Sequence, residues 1–465
     1  MFFLLIIVVS VEAQPLTWQR VYSSPLPESV GNGIQTFDGG YVVLATRFGS
    51  VGAGLLLLKL DRFGNEEWSK IVDSTVIGFR IRQCDDSSLI ISGNLAGNGV
   101  LIKTNKTGDI IWRKFFHINN QYTLFRSVRC LSNGNLVICG STSFPRIGFL
   151  IMMNSSGDSI WQSTFTSSEW ETYPEDFCKS DDNFIYLTGS TEGSRIKTII
   201  AKFSLNGDLI WSKDFGSNGE GDKQGGAAIV PISNQELLIT GLYSDFYSTE
   251  AHFTKIDSSG NVIFQNVLPQ TNSSRSMVGT TKGNFAIAGG LGTSSDDILF
   301  ILINENGDIL NRKLFNSSGI ESDYSSSIFE TSDNGFLITG YTTYLQSTQI
   351  DQNIYLIKTD SLGNAPTVNT NIIENQLPAG FKLYQNYPNP FNSSTIINFE
   401  LNKSSLIKLE VYDITGKIIN ILANGFFTEG KYSVSFSSNK LSSGIYYYKL
   451  INNNLSITKK MMIIR

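Results

Sequence analysis

The chain has 465 residues, with 36 basic and 41 acidic side chains, a net charge of −5, 41% hydrophobic residues and only 17% charged ones. That balance excludes a disordered chain and leaves no basic excess for a nucleic-acid backbone, so no nucleic-acid partner is expected. Aromatic residues at 12%, with many Ser, Asn, Gly and Thr, fit turn-rich β-structure.

The chain opens on an apolar stretch, Phe2–Val9, too short to span a bilayer. Small residues at Val11 and Ala13 follow at cleavage-site spacing, so residues 1–13 are expected to be a signal peptide cut before Gln14. No later stretch has the length of a membrane helix, and no membrane span is expected in the mature chain. Next comes Thr17–Tyr22, a strand with no turn before it.

A short turn then recurs seven times, with its glycine at Gly64, Gly108, Gly157, Gly207, Gly260, Gly307 and Gly363, 44 to 56 residues apart. A period in this range with strand-like content marks a propeller. Each turn begins with Asp, Asn or Ser, which can bond the backbone two residues on. Its Gly supplies the positive φ of a type I turn plus bulge. A second hairpin precedes each turn, and one of its strands ends on a small residue: Ala45, Gly93, Gly140, Gly189, Gly241, Gly289 or Gly340. Gly or Ala there is expected to permit close approach between packed sheets. Trp68, Trp112, Trp161 and Trp211 each lie four residues after a turn glycine and are expected to pack between blades. Phe264 and Asn311 hold that place after the fifth and sixth turns. The turns lack the alternating acids and distal Glu of a calcium loop, and no metal site is expected.

Cys84, Cys130 and Cys178 occupy matching places in successive repeats, hence different blades, and Cys139 shares a hairpin with Cys130. All four are expected to be buried free thiols. The two histidines, His117 and His252, sit in different repeats and outside any nucleophile motif, and no Gly-rich phosphate loop occurs. No catalytic residue and no cofactor is assigned. The innermost strand of each blade should precede the second hairpin, where the chain carries Arg80, Arg82, Arg126, Arg129, Glu175, Asp176 and Arg275. Of these, Arg80, Arg126, Glu175, Asp176 and Arg275 are the candidate ligand-binding residues, forming a polar channel mouth for a charged or hydroxylated ligand.

The seventh turn lacks its outer strand, because Pro366 opposes a ladder strand. The N-terminal strand Thr17–Tyr22 is therefore expected to close the last blade. The fold class is all-β: a seven-bladed β-propeller over residues 14–364 with N-terminal strand closure, a linker at 365–378, and a small Ig-like β-sandwich at 379–465.

The last domain carries four motifs: Phe381–Asn392, which contains Tyr387, Pro388, Asn389, Pro390, Phe391 and Asn392; Val411–Lys417 with Gly416; Leu441–Tyr446 with Gly444; and Lys459–Arg465 with Lys460 and Arg465. In order, spacing and position they resemble the type A sorting domain of the type IX secretion system. Ser393 departs from a proline common in that family. The resemblance implies that residues 379–465 engage the type IX secretion machinery, that the chain crosses the outer membrane, and that the domain is usually cleaved. It places the protein outside the cell or on its outer surface. Residues 17–364 are similar to bacterial quinoprotein-like propellers in their apolar strand, Asp/Asn-x-x-Gly turn and following Trp. The expected function is a secreted or cell-surface binding or scaffold module for a glycan or protein. The alternative is a secreted glycoside hydrolase, lyase or quinoprotein-like oxidoreductase with its site at the channel mouth.

Overall fold

In the computed structural model every named element is a β-strand, and each pairs antiparallel with its sheet neighbours. The structure describes residues 16–366 and 381–464, apart from 25, 50–51, 119, 168–170, 193–195, 217–222, 233–234, 245–248, 269–270, 272, 292–296, 318–321, 347–348, 402, 414–416, 439–440 and 453–454. The expected signal peptide at 1–13, most of the linker, and the sorting residues Gly416 and Arg465 lie outside the described residues. The chain divides into two compact units, Met1–Thr370 and Asn371–Arg465.

Among the described residues of the first unit, seven four-stranded sheets follow one another. We call them blades 1 to 6 (28–73, 77–116, 123–165, 171–215, 223–268 and 273–315) and blade 7 (322–359 plus Trp18–Tyr22). Strand order equals chain order in the first six, so each blade is a meander. Successive inner strands touch, and the inner strand of blade 1 also touches that of blade 7, which closes the ring. This is a β-propeller. The closing strand is the N-terminal one: Trp18–Tyr22 pairs with Gln349–Thr359, Trp18 opposite Lys358 and Tyr22 opposite Ile354.

The recurring turn has the expected form. Asp61 N–H donates to Asn65 O, Gly64 N–H donates to Asp61 O, and the Asp61 carboxylate accepts the N–H of Phe63 and of Asn65. Gly64 sits at φ +77°. A second constraint was not visible in the sequence. A Cβ on Gly64 would lie 2.9 Å from the ring of Trp18, one blade back. The rings of Trp68, Trp112, Trp161 and Trp211 cover Gly108, Gly157, Gly207 and Gly260 in the same way. Each outer-strand Trp thus caps the turn of the next blade. Where the sequence puts Phe264 and Asn311, the covering ring comes from the third strand instead: Phe253 over Gly307 and Phe300 over Gly363.

A second repeated link joins the first tight turn of a blade to its third strand. Lys59, Lys103, Lys202, Lys255 and Lys358, all buried, pair with Asp38, Asp86, Asp182, Glu236 and Asp333 at 2.7–3.1 Å. Blades 3 and 6 have Met152 and Leu302 in the lysine's place, and their turns carry Asn133 and Lys282 instead of an acid.

The cysteine expectation is corrected. Cys84 and Cys130 form a disulfide with Cα atoms 5.5 Å apart, while Cys139 and Cys178 are free and buried. Matching places on different blades do not separate these residues. Inner strands converge on the axis, so equivalent positions at their ends lie side by side, within disulfide range.

The second unit is a β-sandwich. One sheet holds Phe381–Leu383, Ser394–Leu401 and Gly430–Ser437; the other holds Ile418–Phe427, Ser405–Tyr412, Gly444–Asn452 and Leu455–Ile463. Its core, including Phe391, Phe399, Leu409, Tyr448 and Met461, is its own. The first sorting motif is stitched to the last strand. Phe391 N–H donates to Met462 O (3.0 Å), Ile464 N–H to Phe391 O (2.9 Å), and Met462 N–H to Asn389 Oδ1 (2.8 Å). Buried Asn386 braces the motif from below through Pro388 O and Thr395 Oγ1, while Tyr387 stands 80% exposed. Ser438 Oγ donates to Asn392 O, and Lys460 is exposed.

Candidate functional site

An inner strand is an edge strand, with a row of backbone groups facing the channel. Each of the seven inner strands breaks its ladder with one bulge, and the pairing skips Gly31, Phe79, Arg126, Glu175, Ala227, Arg275 and Ser326. A bulge leaves one residue unpaired and re-aims its side chain. All seven of these residues line one cavity of about 530 Å³ on the axis. Its remaining wall includes Ser190, Ile196 and Leu242, which flank the connections between second and third strands. That is a usual volume for a small-molecule site.

The bulge explains the small residue that ends the second strand, and corrects its reading. A Cβ on Gly241 would lie 1.8 Å from Gly225 O, and one on Gly140 would lie 2.0 Å from Leu124 O. Both carbonyls belong to the inner strand of the same blade. The glycine makes room for the bulged backbone of its own blade; at Gly340 a Cβ would also lie 2.9 Å from Ile298 Cδ1 of blade 6.

In several blades the residue after the bulge bonds an adjoining blade instead of facing the cavity. Asn32 Oδ1 accepts Ile81 N–H (3.3 Å), Ser276 Oγ accepts Ile328 N–H (3.2 Å) and Ser327 Oγ accepts Gly33 N–H (3.3 Å). This belt satisfies N–H groups that an edge strand leaves without a ladder partner. Asp176 occupies the same place. It accepts from Ser127 Oγ (3.0 Å) and pairs with Arg129 (3.2 Å), so it braces blades 3 and 4 and is not among the lining residues. Arg82 likewise donates to Asn32 Oδ1 and Ile81 O. Arg80 holds this position too, but its longer side chain reaches the cavity.

Four of the five candidate residues therefore meet: Arg80, Arg126, Glu175 and Arg275. Arg126 Nε lies 3.7 Å from Glu175 Oε1, and its guanidinium sits 5.4 Å from the centroid of the Phe79 ring. Desolvation in the cavity pushes the Glu175 carboxyl above the usual carboxylate range, while Arg126, Arg80 and Arg275 pull it back. The side chains of Arg80 and Arg275 make no hydrogen bond or ion pair with any described residue. His252 stands behind the wall, buried, with Nε2 3.1 Å from the carbonyl of the lining residue Gly225. Burial holds it down to about 4, so it is neutral at pH 7. His117 is exposed, just after the last strand of blade 2. Among the described residues no group of three or more His, Cys, Asp or Glu is placed to hold a metal ion.

Sequence reasoning missed Gly31, Phe79, Ala227 and Ser326. A signal was present. In all seven blades the bulged residue lies eight positions before the left-handed residue of the first tight turn, which is Gly39, Ser87, Gly134, Asn183, Gln235, Gly283 or Asn334.

Residues 385–464 match the family described as a secretion system C-terminal sorting domain. This segment marks the chain for export by type IX secretion, to the cell surface or the extracellular space. No curated protein matches the sequence. Among solved structures, a Bacteroides caccae protein of unknown function aligns at 16% identity, covering 57% of this chain and 88% of its own, with a TM-score of 0.38. The Neurospora crassa Pan2 WD40 domain aligns at 8% identity over 77% of this chain and 98% of its own, with a TM-score of 0.46. The β-propeller domain of the Trilobed protease from Pyrococcus furiosus aligns at 8% identity over 76% and 99%, with a TM-score of 0.45. The propeller assignment rests on the sheet topology of the chain itself. No helix among the described residues is long and apolar enough to cross a membrane.

Proposed function

We propose that the chain is an exported binding protein whose propeller takes a polar ligand, the end of a glycan or of a protein segment, into the channel cavity. The observation that carries this reading is the ring of bulged residues. Seven equivalent positions deliver their residues to one cavity, yet they read Gly, Phe, Arg, Glu, Ala, Arg and Ser. Elsewhere the repeat is more uniform: the turn glycine recurs in all seven blades and the third-strand lysine in five of them. Positions free of that uniformity and aimed into one cavity have the character of a site. The lining supplies several guanidinium groups and one carboxylate, which suits recognition better than the paired carboxylates of glycoside hydrolysis.

The test is retention of the full chain on arrays of neutral and acidic oligosaccharides and of peptides, alongside an Ala227→Trp variant that fills the cavity. Retention by the natural chain and its loss in the filled variant is the expected result. Retention that survives the filling, or none on either array, would overturn the reading.

A further inference from the structure

Resting on that binding reading, we propose that the cavity recognises an oxyanion, a carboxylate, phosphate or sulfate group on a small or terminal ligand, through the guanidinium groups of Arg80 and Arg275. Arginine that is structural in this protein is engaged. Arg47 pairs with Glu28, Arg113 with Asp73, Arg129 with Asp176, and Arg82 bonds to Asn32 and Ile81. In the cavity Arg126 is likewise engaged, between the Glu175 carboxylate and the face of Phe79. Arg80 and Arg275 are different. They line the same cavity with no hydrogen-bond or ion-pair partner among the described residues, and both act electrostatically on Glu175, so their charges reach the same space. With Glu175 ionised, the three guanidinium groups leave a net charge of +2 in the lining, in a chain whose overall charge is −5.

A planar guanidinium presents its N–H groups as a fork that matches oxyanion geometry, and charge-assisted bonds of this kind are about twice as strong as neutral ones. Glu175 plays the opposite part. It is the internal counter-charge, held by Arg126, and it repels an incoming anion. The chemistry shared by carboxylate, phosphate and sulfate is what Arg80 and Arg275 read. The remaining wall, with Ser190, Ser274 and Ser326, has hydroxyls that can bond the rest of a polar ligand.

The experiment is calorimetric titration of the full chain with sodium phosphate, sodium sulfate, D-galacturonate and, as the neutral counterpart of the last, D-galactose. At least one anion should bind, and galactose should bind at least tenfold more weakly than galacturonate. Which anion binds tightest identifies the source of the oxyanion. Arg80→Gln and Arg275→Gln should each weaken the anion by about tenfold or more. Lys282→Gln, an equal charge loss on an exposed turn, should change little. Glu175→Gln should tighten anion binding by roughly three- to tenfold, a gain that a damaged fold would not mimic.

Equal binding of galacturonate and galactose, or undiminished anion binding in both arginine variants, would overturn the oxyanion assignment and leave the cavity a binding site. If no anion binds at millimolar concentration, the assignment also falls. The array experiment then decides separately whether the cavity binds anything.

Discussion

At the residue scale, the repeated lysine–carboxylate pairs are asymmetric, and the asymmetry has a consequence. The Lys358 side chain is 1% exposed, whereas that of Asp333 is 37% exposed, and the two lie 3.0 Å apart. Lys358 also donates to Thr359 O. Burial lowers its proton affinity and the Asp333 charge restores part of it. Removing the carboxylate strands a buried ammonium, which typically costs about 3–5 kcal/mol. Removing the ammonium lets a half-exposed carboxylate rehydrate, and loses little more than a surface pair, about 1 kcal/mol. Asp333→Ala should therefore lower the melting temperature clearly more than Lys358→Met. Blade 3 carries neither charge, with Met152 on the third strand and Asn133 in the turn. Equal shifts in thermal unfolding, or the reverse order, would show that the pair does not work this way. The pairing was present in the sequence as an unexploited correlation: where the third strand lacks its lysine, the turn lacks its acid. Glu175 and Asp176 show the opposite case. Adjacent in sequence, they read as equals, yet one is bulged into the cavity and the other is turned into the belt between blades.

At the element scale, the strand pattern, the turns and the closing strand were legible because each is local: apolar runs, a Gly at fixed spacing, a strand with no hairpin of its own. The bulges were not, because a bulge is a property of pairing between strands, and its traces in the sequence are a small residue on the partner strand and a fixed spacing to the first tight turn. The disulfide was illegible for a related reason. Repeat position says which blade a cysteine belongs to, but the distance between neighbouring blades depends on the radius at which it sits. Closure itself has unequal consequences around the ring. Trp18 is 7% exposed and packs edge-on to Tyr41 at 5.8 Å, whereas Trp112 in the equivalent place is only half-buried. The closing strand also reaches blade 1, through Tyr22 Oη to Gly64 O (2.6 Å) and Arg20 to Asn65 Oδ1 (3.1 Å). Trp18→Ala should cost about 3–5 kcal/mol, the range for a large buried side chain, and Trp112→Ala visibly less. Deleting residues 16–22 should cost more than either and leave blade 7 with three strands. Thermal unfolding of the three variants orders them, and a deletion that melts with the natural chain would remove the closure from the account of stability.

At the scale of the whole molecule, the division into two units separates the address from the cargo. The sandwich has a complete core of its own, built from residues between Phe381 and Ile463, and the propeller closes its ring without any of them. A chain ending before Phe381 should therefore still form the propeller. Export is another matter. The matched segment runs from 385 to 464, and the first and last sorting motifs are bonded to each other through Phe391, Met462 and Ile464. A domain whose first and last motifs hold each other should be disrupted when either is removed. In a host with type IX secretion, the truncated chain should accumulate on the cell side of the outer membrane, with a protease-resistant propeller and none at the surface or in the medium. Cell fractionation with limited proteolysis reads both quantities at once. Truncated protein found outside the cell would show that the tail is not the address, and a truncated propeller degraded inside the cell would show that the two units do not fold independently.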